Sequence, residues 1–404
     1  MKLYAHQQKL IDEDPKKHGI FHETGTGKTI IAIKLCHTGT TLVVCPKSLK
    51  DKWADDILNF ADNSPDFMVV SKEEFKKQHK TITCDNLIID EIHYFLGYTS
   101  AMFKNTIAFL NRVKPTRFYG LSATPYRSTP FNVYCLARLF GKDWGWFAFK
   151  KHFFYDIPMG RIKIPQQKPN TDGELQKIIQ GFGSFVKLND CVDIPEPVFE
   201  TELFDVTKEQ MKGFDEHFDV LPIVRYTKEH QICGGILKDE GYGEQRYKSE
   251  KFARLLDLIK ENKKVVVVCR YNAELDMIYK AIHDGKRFIY IINGETPNKQ
   301  SVIDIANSKD DAIMLINASC SVGYELPTFP AIIFYSLSFS FVDYVQMLGR
   351  IQRINKIQKC FYLHLVVKGT VDYDIFERIT VDRKDFQADL YGEKTWEDDE
   401  NART

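Results

Sequence analysis

Short apolar runs alternate with helical segments in two separate stretches of this chain, and this alternation constrains the fold more than any other feature. The runs of the first 140 residues lie at 18–21, 40–46, 66–71, 86–91 and 117–124. A second series lies at 263–271, 287–294, 311–318, 331–338 and 359–367. Because each run is almost continuously apolar, we predict strands that are buried on both faces of a parallel sheet. Helical segments such as 48–61 would cover those faces, which is the arrangement of an α/β fold.

The 404 residues therefore predict two α/β domains, at 1–195 and 196–404. The stretch 141–245 between the two series is rich in aromatic residues, Gly and Pro, and we interpret it as an irregular middle. It would comprise an insertion in the first domain from about 141 and a helical insertion in the second at about 207–245. An acidic tail that includes 396–401 ends the second domain.

The composition is that of a globular protein, with 44% hydrophobic and 27% charged residues. No apolar run reaches about 18 residues, so we expect no membrane span. Nine cysteines without a CxxC pair, together with a polar N-terminus, favour a reducing cytoplasm and argue against disulfides or a zinc site. Because Lys plus Arg and Asp plus Glu both number 55, the net charge neither favours nor excludes a nucleic-acid partner.

A glycine-rich segment, HETGTGKT at 22–29, lies between a short apolar run and a helical segment. Gly25 and Gly27 would let the backbone curl so that successive N–H groups face one anion at the start of the helix. Lys28 would neutralise the β- and γ-phosphates of a nucleotide, and the Thr29 hydroxyl would bind Mg²⁺. The segment therefore predicts a phosphate-binding loop.

Two carboxylates, Asp90 and Glu91, end an apolar run about 60 residues further on. Asp90 could hold Mg²⁺, and Glu91 could polarise the attacking water. In this order and at this distance, the loop and the carboxylates indicate an NTPase that uses ATP and Mg²⁺, although His22 stands where the usual loop has Gly. His93 could belong to this site or be a packed core histidine.

Four segments together resemble motifs I, II, III and VI of superfamily 2 helicases. They are HETGTGKT at 22–29, DEIH at 90–93, LSATP at 121–125 and QMLGRIQRINK at 346–356. Further segments narrow the resemblance to the Swi/Snf-type DNA translocases, and it spans most of residues 3–380. LVVCPKSLKDKWADDI at 42–57 is similar to motif Ia, VVVVCRYNAEL at 265–275 to motif IV, and NASCSVGYELP at 317–327 to motif V. NGET at 293–296 resembles the short loop after the next strand.

The resemblance implies two RecA-like parallel-sheet lobes with an aromatic and basic insertion region between motifs III and IV. One departure is Ala123, where the Swi/Snf family usually has Gly. Another is the stretch 185–195, where the family's twin arginines are reduced to Lys187. The compact chain is similar to phage-encoded branch-migration helicases and unlike a chromatin remodeller.

The resemblance also assigns roles around the nucleotide. Gln7 would read adenine, unless it is an exposed helix residue, while Glu325 would bind the ribose and Gly323 would approach the nucleotide through its backbone. Contacts to the phosphates and the metal, together with the chemistry at the γ-phosphate, would come from Thr24, Gly25, Thr26, Gly27, Lys28, Thr29, Asp90 and Glu91.

Three residues of the last motif complete the implied catalytic set. Gln346, Arg350 and Arg353 would face the same way, because residues three and four apart share one face of a helix. In the family, such arginines reach from the second lobe to the γ-phosphate, so hydrolysis would need closure of the two lobes.

Contacts to DNA phosphates would use cations, hydroxyls and backbone N–H groups at the ends of strands. The candidates are Lys47, Ser48, Arg270, Asn272, Thr296 and Ser319. The aromatic segment 144–147 could stack on bases or pack the insertion onto its lobe. Basic residues of the insertion that could meet a DNA junction are Lys150, Lys151, His152, Arg161 and Lys163.

The leading interpretation is a monomeric, cytoplasmic, ATP-dependent DNA helicase or translocase that acts on duplex, forked or branched DNA. It would carry out fork reversal, branch migration and limited unwinding in replication, recombination or repair, with replication or recombination proteins as partners. Two alternatives stay open. One is an ATP-dependent RNA helicase, because DEIH resembles the DEAH type, and the other is a nucleotide-dependent clamp that binds nucleic acid without translocation.

Overall fold

The computed structural model describes residues 3–61, 66–125, 130–159, 162–217, 221–239, 243–321, 323–354 and 356–382. Arg161 of the predicted basic set and the acidic segment 396–401 lie outside the described residues. The chain divides into two compact units, of which the first ends at Asp193 and the second begins at Ile194.

Unit 1 alternates strands and helices in the order that the apolar runs predict. Its elements are α1 (Ala5–Glu13), β1 (Lys17–Ile20), α2 (Lys28–Leu35), β2 (Thr41–Cys45), α3 (Lys50–Phe60), β3 (Phe67–Ser71), α4 (Lys72–Gln78), β4 (Asn86–Ile89), α5 (Ala101–Val113), β5 (Arg117–Leu121), α6 (Pro130–Leu139), α7 (Trp146–Phe153), β6 (Phe154–Met159), β7 (Ile162–Gln167), α8 (Asp172–Gln180) and β8 (Gly183–Ser184).

The main sheet of unit 1 has the strand order β3-β2-β4-β5-β1-β8, and its described pairings are all parallel. The central strands β2, β4 and β5 are buried along their whole length. Successive residues of β2 enter different core clusters, with Leu42 and Val44 in one and Val43 and Cys45 in the other. This alternation confirms the prediction of strands that pack apolar side chains on both faces.

The register of unit 1 brings the ends of three strands to one edge of the sheet. Ile89 of β4 pairs with Gly120 of β5. Ile20 of β1 pairs with Leu121 of β5. The three segments that follow these strands are 22–29, 90–93 and 122–125. Because ligands of open parallel sheets bind beyond the carboxyl ends of the strands, this edge is where the predicted nucleotide site belongs.

Unit 2 repeats the same plan. Its elements are β9 (Val198–Phe204), α9 (Lys208–Glu216), α10 (Pro222–Cys233), β10 (Ile236–Asp239), β11 (Gly243–Arg246), α11 (Glu250–Glu261), β12 (Lys264–Cys269), α12 (Asn272–Ile282), β13 (Ile289–Ile292), α13 (Lys299–Ser308), β14 (Ala312–Asn317), β15 (Ala331–Phe334), α14 (Phe341–Ile351), β16 (Phe361–Val367) and α15 (Val371–Glu377). Within the described ranges, neither unit contains a helix that is both long enough and apolar enough to cross a bilayer.

The main sheet of unit 2 has the order β13-β14-β12-β15-β16-β9, again with parallel pairing throughout the described strands. In β12, Val266 and Val268 enter one core cluster, while Val265 and Val267 enter another. Both units therefore have the RecA-like parallel-sheet architecture that the resemblance implied.

Serine and threonine side chains fix the starts of several helices. Each accepts a hydrogen bond from a backbone N–H group of the first turn, which would otherwise lack a partner. The residues are Ser71 for α4, Ser100 for α5, Thr207 for α9, Ser249 for α11, Ser340 for α14 and Thr370 for α15.

The prediction of an irregular middle is wrong for the part that precedes residue 205, whereas two helices, α9 and α10, lie where the helical insertion at about 207–245 was predicted. Strands β8 and β9 extend the two main sheets, and two antiparallel hairpins form from β6 with β7 and from β10 with β11. The sequence hides these strands for physical reasons. Edge strand β9 exposes apolar residues and alternates them with Glu200 and Glu202, while Pro158 and Pro165 are tolerated because each lies in a hairpin of only two strands.

Candidate functional site

The phosphate loop of unit 1 connects β1 to α2. Gly25 and Gly27 have φ angles of 89° and 81°, in the left-handed region that glycine adopts without strain. Gly27 is also the N-cap of α2, so the backbone N–H groups at the start of this helix face the loop. The predicted loop therefore has the backbone form and the helix terminus that favour an anion.

Lys28 folds back over its own loop. Its Nζ donates hydrogen bonds to the carbonyl oxygens of His22 and Glu23, at 2.8 and 2.9 Å. The Thr26 hydroxyl also donates to the Glu23 carbonyl, at 2.8 Å. An anion in the loop would compete with these carbonyls for the ammonium group, so the lysine is already at the place where a phosphate would meet it.

Helix α1 braces the loop from one side. His6 Nε2 and Gln7 Nε2 both donate to the Thr26 carbonyl, at 3.0 and 3.1 Å. Gln7 is 2% exposed, and its Oε1 accepts the Tyr4 N–H at 3.0 Å. The alternative of an exposed glutamine is therefore wrong, and adenine recognition by Gln7 stays a prediction. His6 was missed because nothing in its local sequence marks it.

The segment 184–191 supports the loop from another side. The His22 imidazole lies 2.8 Å from the Ser184 hydroxyl, through Nε2. The Glu23 N–H donates to the Val186 carbonyl at 2.9 Å, and the Leu188 N–H donates to Glu23 Oε2 at 2.8 Å. The histidine that replaces the usual glycine thus packs into the fold, where it is 1% exposed.

Burial shifts the pKa of both side chains in this support. Burial and the nearby Lys28 ammonium lower the pKa of His22 to about 2, so the imidazole is neutral at physiological pH. Burial raises the pKa of Glu23, and the hydrogen bond from Leu188 opposes that effect.

Asp90 lies directly beyond β4 and is held by two donors. Its Oδ2 accepts the indole Nε1–H of Trp53 at 2.8 Å, and its Oδ1 accepts the Glu91 N–H at 2.9 Å. Burial and the Glu91 carboxylate raise the pKa of Asp90 to about 7. A divalent cation at this position would favour the ionised form, because it adds positive charge beside the carboxylate.

His93 connects the carboxylate motif to the segment after β5. Its Nδ1 lies 3.2 Å from Glu91 Oε2 and 3.1 Å from the Ser122 hydroxyl. Ser122 also accepts the Thr124 N–H at 3.0 Å. His93 is 1% exposed, so it is both packed in the core and a polar partner of Glu91. Ser122 was missed as a site residue, although the LSATP segment contains it.

The oxygen ligands at this edge suit Mg²⁺. Thr29 offers a hydroxyl and Asp90 a carboxylate, and Mg²⁺ usually takes one or two protein ligands and completes its shell with water and phosphate oxygens. No group of three or more His, Cys, Asp or Glu side chains that could hold a metal occurs in the described part of the chain. The ligand chemistry thus fits Mg²⁺ bound together with a nucleotide.

In unit 2, the residues of motifs V and VI meet in pairs. Ser321 Oγ donates to Gln346 Oε1 at 3.2 Å, and Arg350 Nη1 donates to the Tyr324 carbonyl at 2.6 Å. Arg353 Nη2 lies 3.5 Å from Glu325 Oε1. Gly323 lies between these contacts at a φ of 95°. The structure therefore pairs Arg353 with Glu325 directly, whereas Gln346 and Arg350 contact Ser321 and Tyr324, which lie on either side of Gly323 in the sequence.

The two arginines differ in their surroundings, and the prediction that both lie on one helix face is wrong. α14 ends at Ile351, because the Arg350 carbonyl accepts the Leu326 N–H instead of continuing the helix. Arg350 is 8% exposed and also donates from Nε to the Gln346 carbonyl. Burial and the Arg350 charge lower the pKa of Arg353 to about 10, so it stays protonated at neutral pH.

The predicted DNA contacts divide into exposed side chains and side chains that build loops. Lys47 and Ser48 are exposed beyond β2. Thr296, by contrast, is bonded within its own loop, since its hydroxyl donates to the Asn293 side chain at 2.9 Å and to the Ile291 carbonyl at 3.2 Å.

Asn317 joins three of the other predicted DNA contacts at the edge of the unit 2 sheet. Its Nδ2 donates to Asn272 Oδ1 at 2.8 Å and to the Arg270 carbonyl at 3.3 Å. Its Oδ1 accepts the Ser319 hydroxyl at 2.7 Å. The sequence did not single out Asn317, because two of its three partners, Arg270 and Asn272, come from the segment after β12.

The aromatic segment of the insertion mostly packs onto unit 1. Trp146 stacks on Tyr98 with ring centres 4.1 Å apart, and Trp144 meets Phe149 edge to face at 5.2 Å. The packing interpretation is thus confirmed for both tryptophans. Phe147, by contrast, is 84% exposed.

Two of the insertion's basic residues are already paired. Lys150 binds Asp156 at 2.8 Å and His152 binds Glu174 at 2.8 Å, while Lys151 is exposed. Nothing is described of the Lys163 side chain, although its backbone belongs to β7. The cationic part of the predicted junction surface is therefore smaller than the sequence implied.

The loop geometry makes Gly27→Ala a specific test. A Cβ at Gly27 would lie 2.2 Å from Gln7 Nε2 and would require a strained left-handed residue. We expect Gly27→Ala to lower the free energy of unfolding by about 1–2 kcal/mol, measured by denaturant titration, and to weaken nucleotide binding. Gly145→Ala is the matched control, since Gly145 also precedes a helix but has a φ of −65° and no described atom within 4 Å of a new Cβ. Equal effects of the two substitutions would contradict this account of the loop.

Two family models match this chain. The helicase conserved C-terminal domain matches residues 249–355, which include the paired residues of motifs V and VI. The res subunit of type III restriction enzymes matches residues 1–86, which include the phosphate loop. No curated protein matches the sequence.

A similar solved structure is the SWI2/SNF2 ATPase core of Sulfolobus solfataricus in complex with dsDNA. The two sequences are 16% identical, the match covers 97% of this chain and 93% of that chain, and the TM-score is 0.43. The two family models, two parallel α/β sheets and the order of the motifs agree with one another. The chain is thus similar to a helicase C-terminal domain over residues 249–355 and to the res subunit of type III restriction enzymes over residues 1–86.

Proposed function

We propose that this protein is an ATP-driven helicase or translocase of the Swi/Snf type that moves along duplex or branched DNA. The edge of the unit 1 sheet carries the proposal, because the phosphate loop and the Asp90–Glu91 pair follow strands whose carboxyl ends lie at that edge. Their chemistry supports binding and hydrolysis of a nucleoside triphosphate. The remaining catalytic residues, Gln346, Arg350 and Arg353, are those that the resemblance assigns to motif VI.

Each residue of unit 1 has a distinct task in the proposed reaction. Lys28 and the N-terminus of α2 bind the phosphates, and Thr29 and Asp90 would hold Mg²⁺. The metal, when bound, neutralises charge that develops on the phosphate oxygens. Glu91 orients and polarises the attacking water, and His93 fixes the position of the Glu91 carboxylate through its contact at 3.2 Å.

The proposed DNA contacts favour recognition of the phosphate backbone. The exposed groups are the Lys47 ammonium, the Ser48 and Ser319 hydroxyls and the Asn272 amide. Such groups bind phosphate and sugar, so they position the protein without reading the base sequence. We therefore propose that the protein recognises the structure of its DNA substrate and not the base sequence.

The test of this function is the ATPase rate in the presence of single-stranded, duplex, forked and four-way DNA and of RNA. Stimulation by duplex or branched DNA, together with displacement of a third strand from a triplex, is the expected result. Stimulation by RNA alone would favour an RNA helicase. ATP hydrolysis without triplex displacement would favour a clamp.

Substitutions in the loop and the carboxylate pair should have different consequences. Lys28→Ala should abolish hydrolysis and leave DNA affinity nearly unchanged, because the proposed DNA contacts use other segments. Glu91→Gln should keep ATP bound without turnover, since metal binding survives but activation of water fails. Filter binding measures the affinity for DNA and the retention of ATP, and single-turnover kinetics measure hydrolysis. Appreciable turnover by Lys28→Ala would show that this loop does not bind the phosphates.

Substitutions of the two arginines should also have different effects. Arg353→Ala should lower kcat by about 10³-fold with a much smaller loss of ATP affinity, as expected for a charge that acts on the γ-phosphate in the transition state. Arg350→Ala should lower kcat as well, and should lower the free energy of unfolding by about 1–3 kcal/mol, because two buried carbonyls lose their donor. Equal losses of ATP binding and turnover in Arg353→Ala would argue against its role in the transition state.

We further propose that the insertion meets DNA junctions through α7, where Phe147 is 84% exposed beside the exposed Lys151. An exposed ring can stack on an unpaired base, which contributes about 1–3 kcal/mol. Forked or four-way DNA should then be processed faster than blunt duplex, and Phe147→Ala should remove that preference while DNA-stimulated hydrolysis remains. Leu58→Ala is the control, since Leu58 is also 84% exposed in unit 1. A preserved preference in Phe147→Ala would exclude this role of α7 in fork reversal and branch migration.

A further inference from the structure

Trp53 is the residue through which α3 is anchored in the core of unit 1. It is 2% exposed and belongs to the same core cluster as Val43, Cys45 and Ile88. A phenylalanine ring at this position would keep most of this apolar packing, although it is smaller than the indole. The indole N–H is different, because a buried donor needs a partner to offset the loss of its water.

The partner of that N–H is the carboxylate of Asp90, and the contact at 2.8 Å is well formed. The other carboxylate oxygen accepts the Glu91 N–H at 2.9 Å. One donor on each oxygen fixes the rotation of the carboxylate about its Cβ–Cγ bond. Each oxygen keeps a further lone pair for another ligand.

The backbone of Asp90 is fixed as well. Its N–H donates to the Val44 carbonyl at 2.9 Å, which continues the ladder between β2 and β4. With the backbone held by β2 and the side chain by α3, the direction of the carboxylate follows from the fold. Hydrogen bonds to an ionised acceptor are also stronger than neutral ones, so this contact is strongest when the carboxylate is ionised.

We propose that Trp53 is a positioning residue that orients Asp90 for Mg²⁺ through its indole N–H. This inference rests on the proposed function, in which Asp90 holds the metal. Trp53 does not touch the nucleotide or the metal in this scheme. It acts as the outer partner of a metal ligand, a class of residue whose loss usually weakens metal binding by about 10–100-fold.

The test measures the binding of a fluorescent, non-hydrolysable ATP analogue as a function of Mg²⁺ concentration. In Trp53→Phe, the Mg²⁺ concentration for half-maximal binding should rise by about tenfold. Binding of the analogue in EDTA should be unchanged, because the phosphate loop is intact. ATP turnover of Trp53→Phe should recover at saturating Mg²⁺.

Phe60→Leu is the matched control, since Phe60 lies on the same helix and packs against the same core cluster. It should leave the Mg²⁺ requirement at the wild-type value, even where it lowers the melting temperature. A tenfold rise in Phe60→Leu as well would show that packing of α3, and not the indole N–H, sets the Mg²⁺ requirement.

A second variant covers the case in which Trp53→Phe is too unstable to measure. Benzothienylalanine at position 53 has a sulfur in place of the N–H and nearly the same shape, so it removes the donor and keeps the packing. The same rise in the Mg²⁺ requirement is expected. A wild-type requirement in either folded variant would overturn the positioning role and leave the proposed function intact. Wild-type protein whose analogue binding and ATP turnover are both independent of Mg²⁺ would overturn both.

Discussion

The partly buried carboxylate of Asp90 is the constraint on which the predicted nucleotide site of unit 1 depends. A charged group that is partly removed from water is stabilised by donors that replace the lost water contacts. Here the Trp53 indole and the Glu91 N–H act on the side chain, while the Val44 carbonyl fixes the backbone. The parallel pairing of β2 with β4 and the position of α3 therefore have two effects. They pack the core of unit 1, and they hold the Asp90 carboxylate in a fixed direction.

The phosphate loop follows the same logic with different partners. Two glycines in left-handed conformations would make an isolated loop flexible, and the fold removes that freedom by bonding the loop at separate points. His6 and Gln7 hold the Thr26 carbonyl, and the segment 184–191 holds the two residues that begin the loop. The loop therefore loses much of its conformational entropy when the protein folds. Because it is already ordered, less conformational entropy is lost when a ligand binds.

The sequence predicted the parts of this structure that depend on local pattern. Strands such as β2 and β12 agree with the predicted runs within a residue or two at most ends, because strands covered on both faces must be continuously apolar. The phosphate loop and the DEIH segment could also be identified from the sequence, since the residues of each motif are consecutive. β8 was missed because two residues, Gly183 and Ser184, carry no pattern.

Partners that come from distant segments were missed for a related reason. Trp53 and Asp90 are 37 residues apart, and His22 and Ser184 are 162 apart, so only the tertiary fold brings each pair together.

In the arginine motif, the sequence pattern singled out Arg350 and Arg353 but wrongly implied that both have the same surroundings. Spacing alone placed Arg350 and Arg353 on one helix face, but the helix ends between them, where the Arg350 carbonyl turns to the Leu326 N–H. Arg350 donates hydrogen bonds to two carbonyl oxygens of unit 2, and its charge lowers the pKa of Arg353. Arg353, whose described ion pair is a long contact with Glu325, retains more donors for another anion. One arginine of the motif therefore builds unit 2, and the other is better placed to act on a ligand.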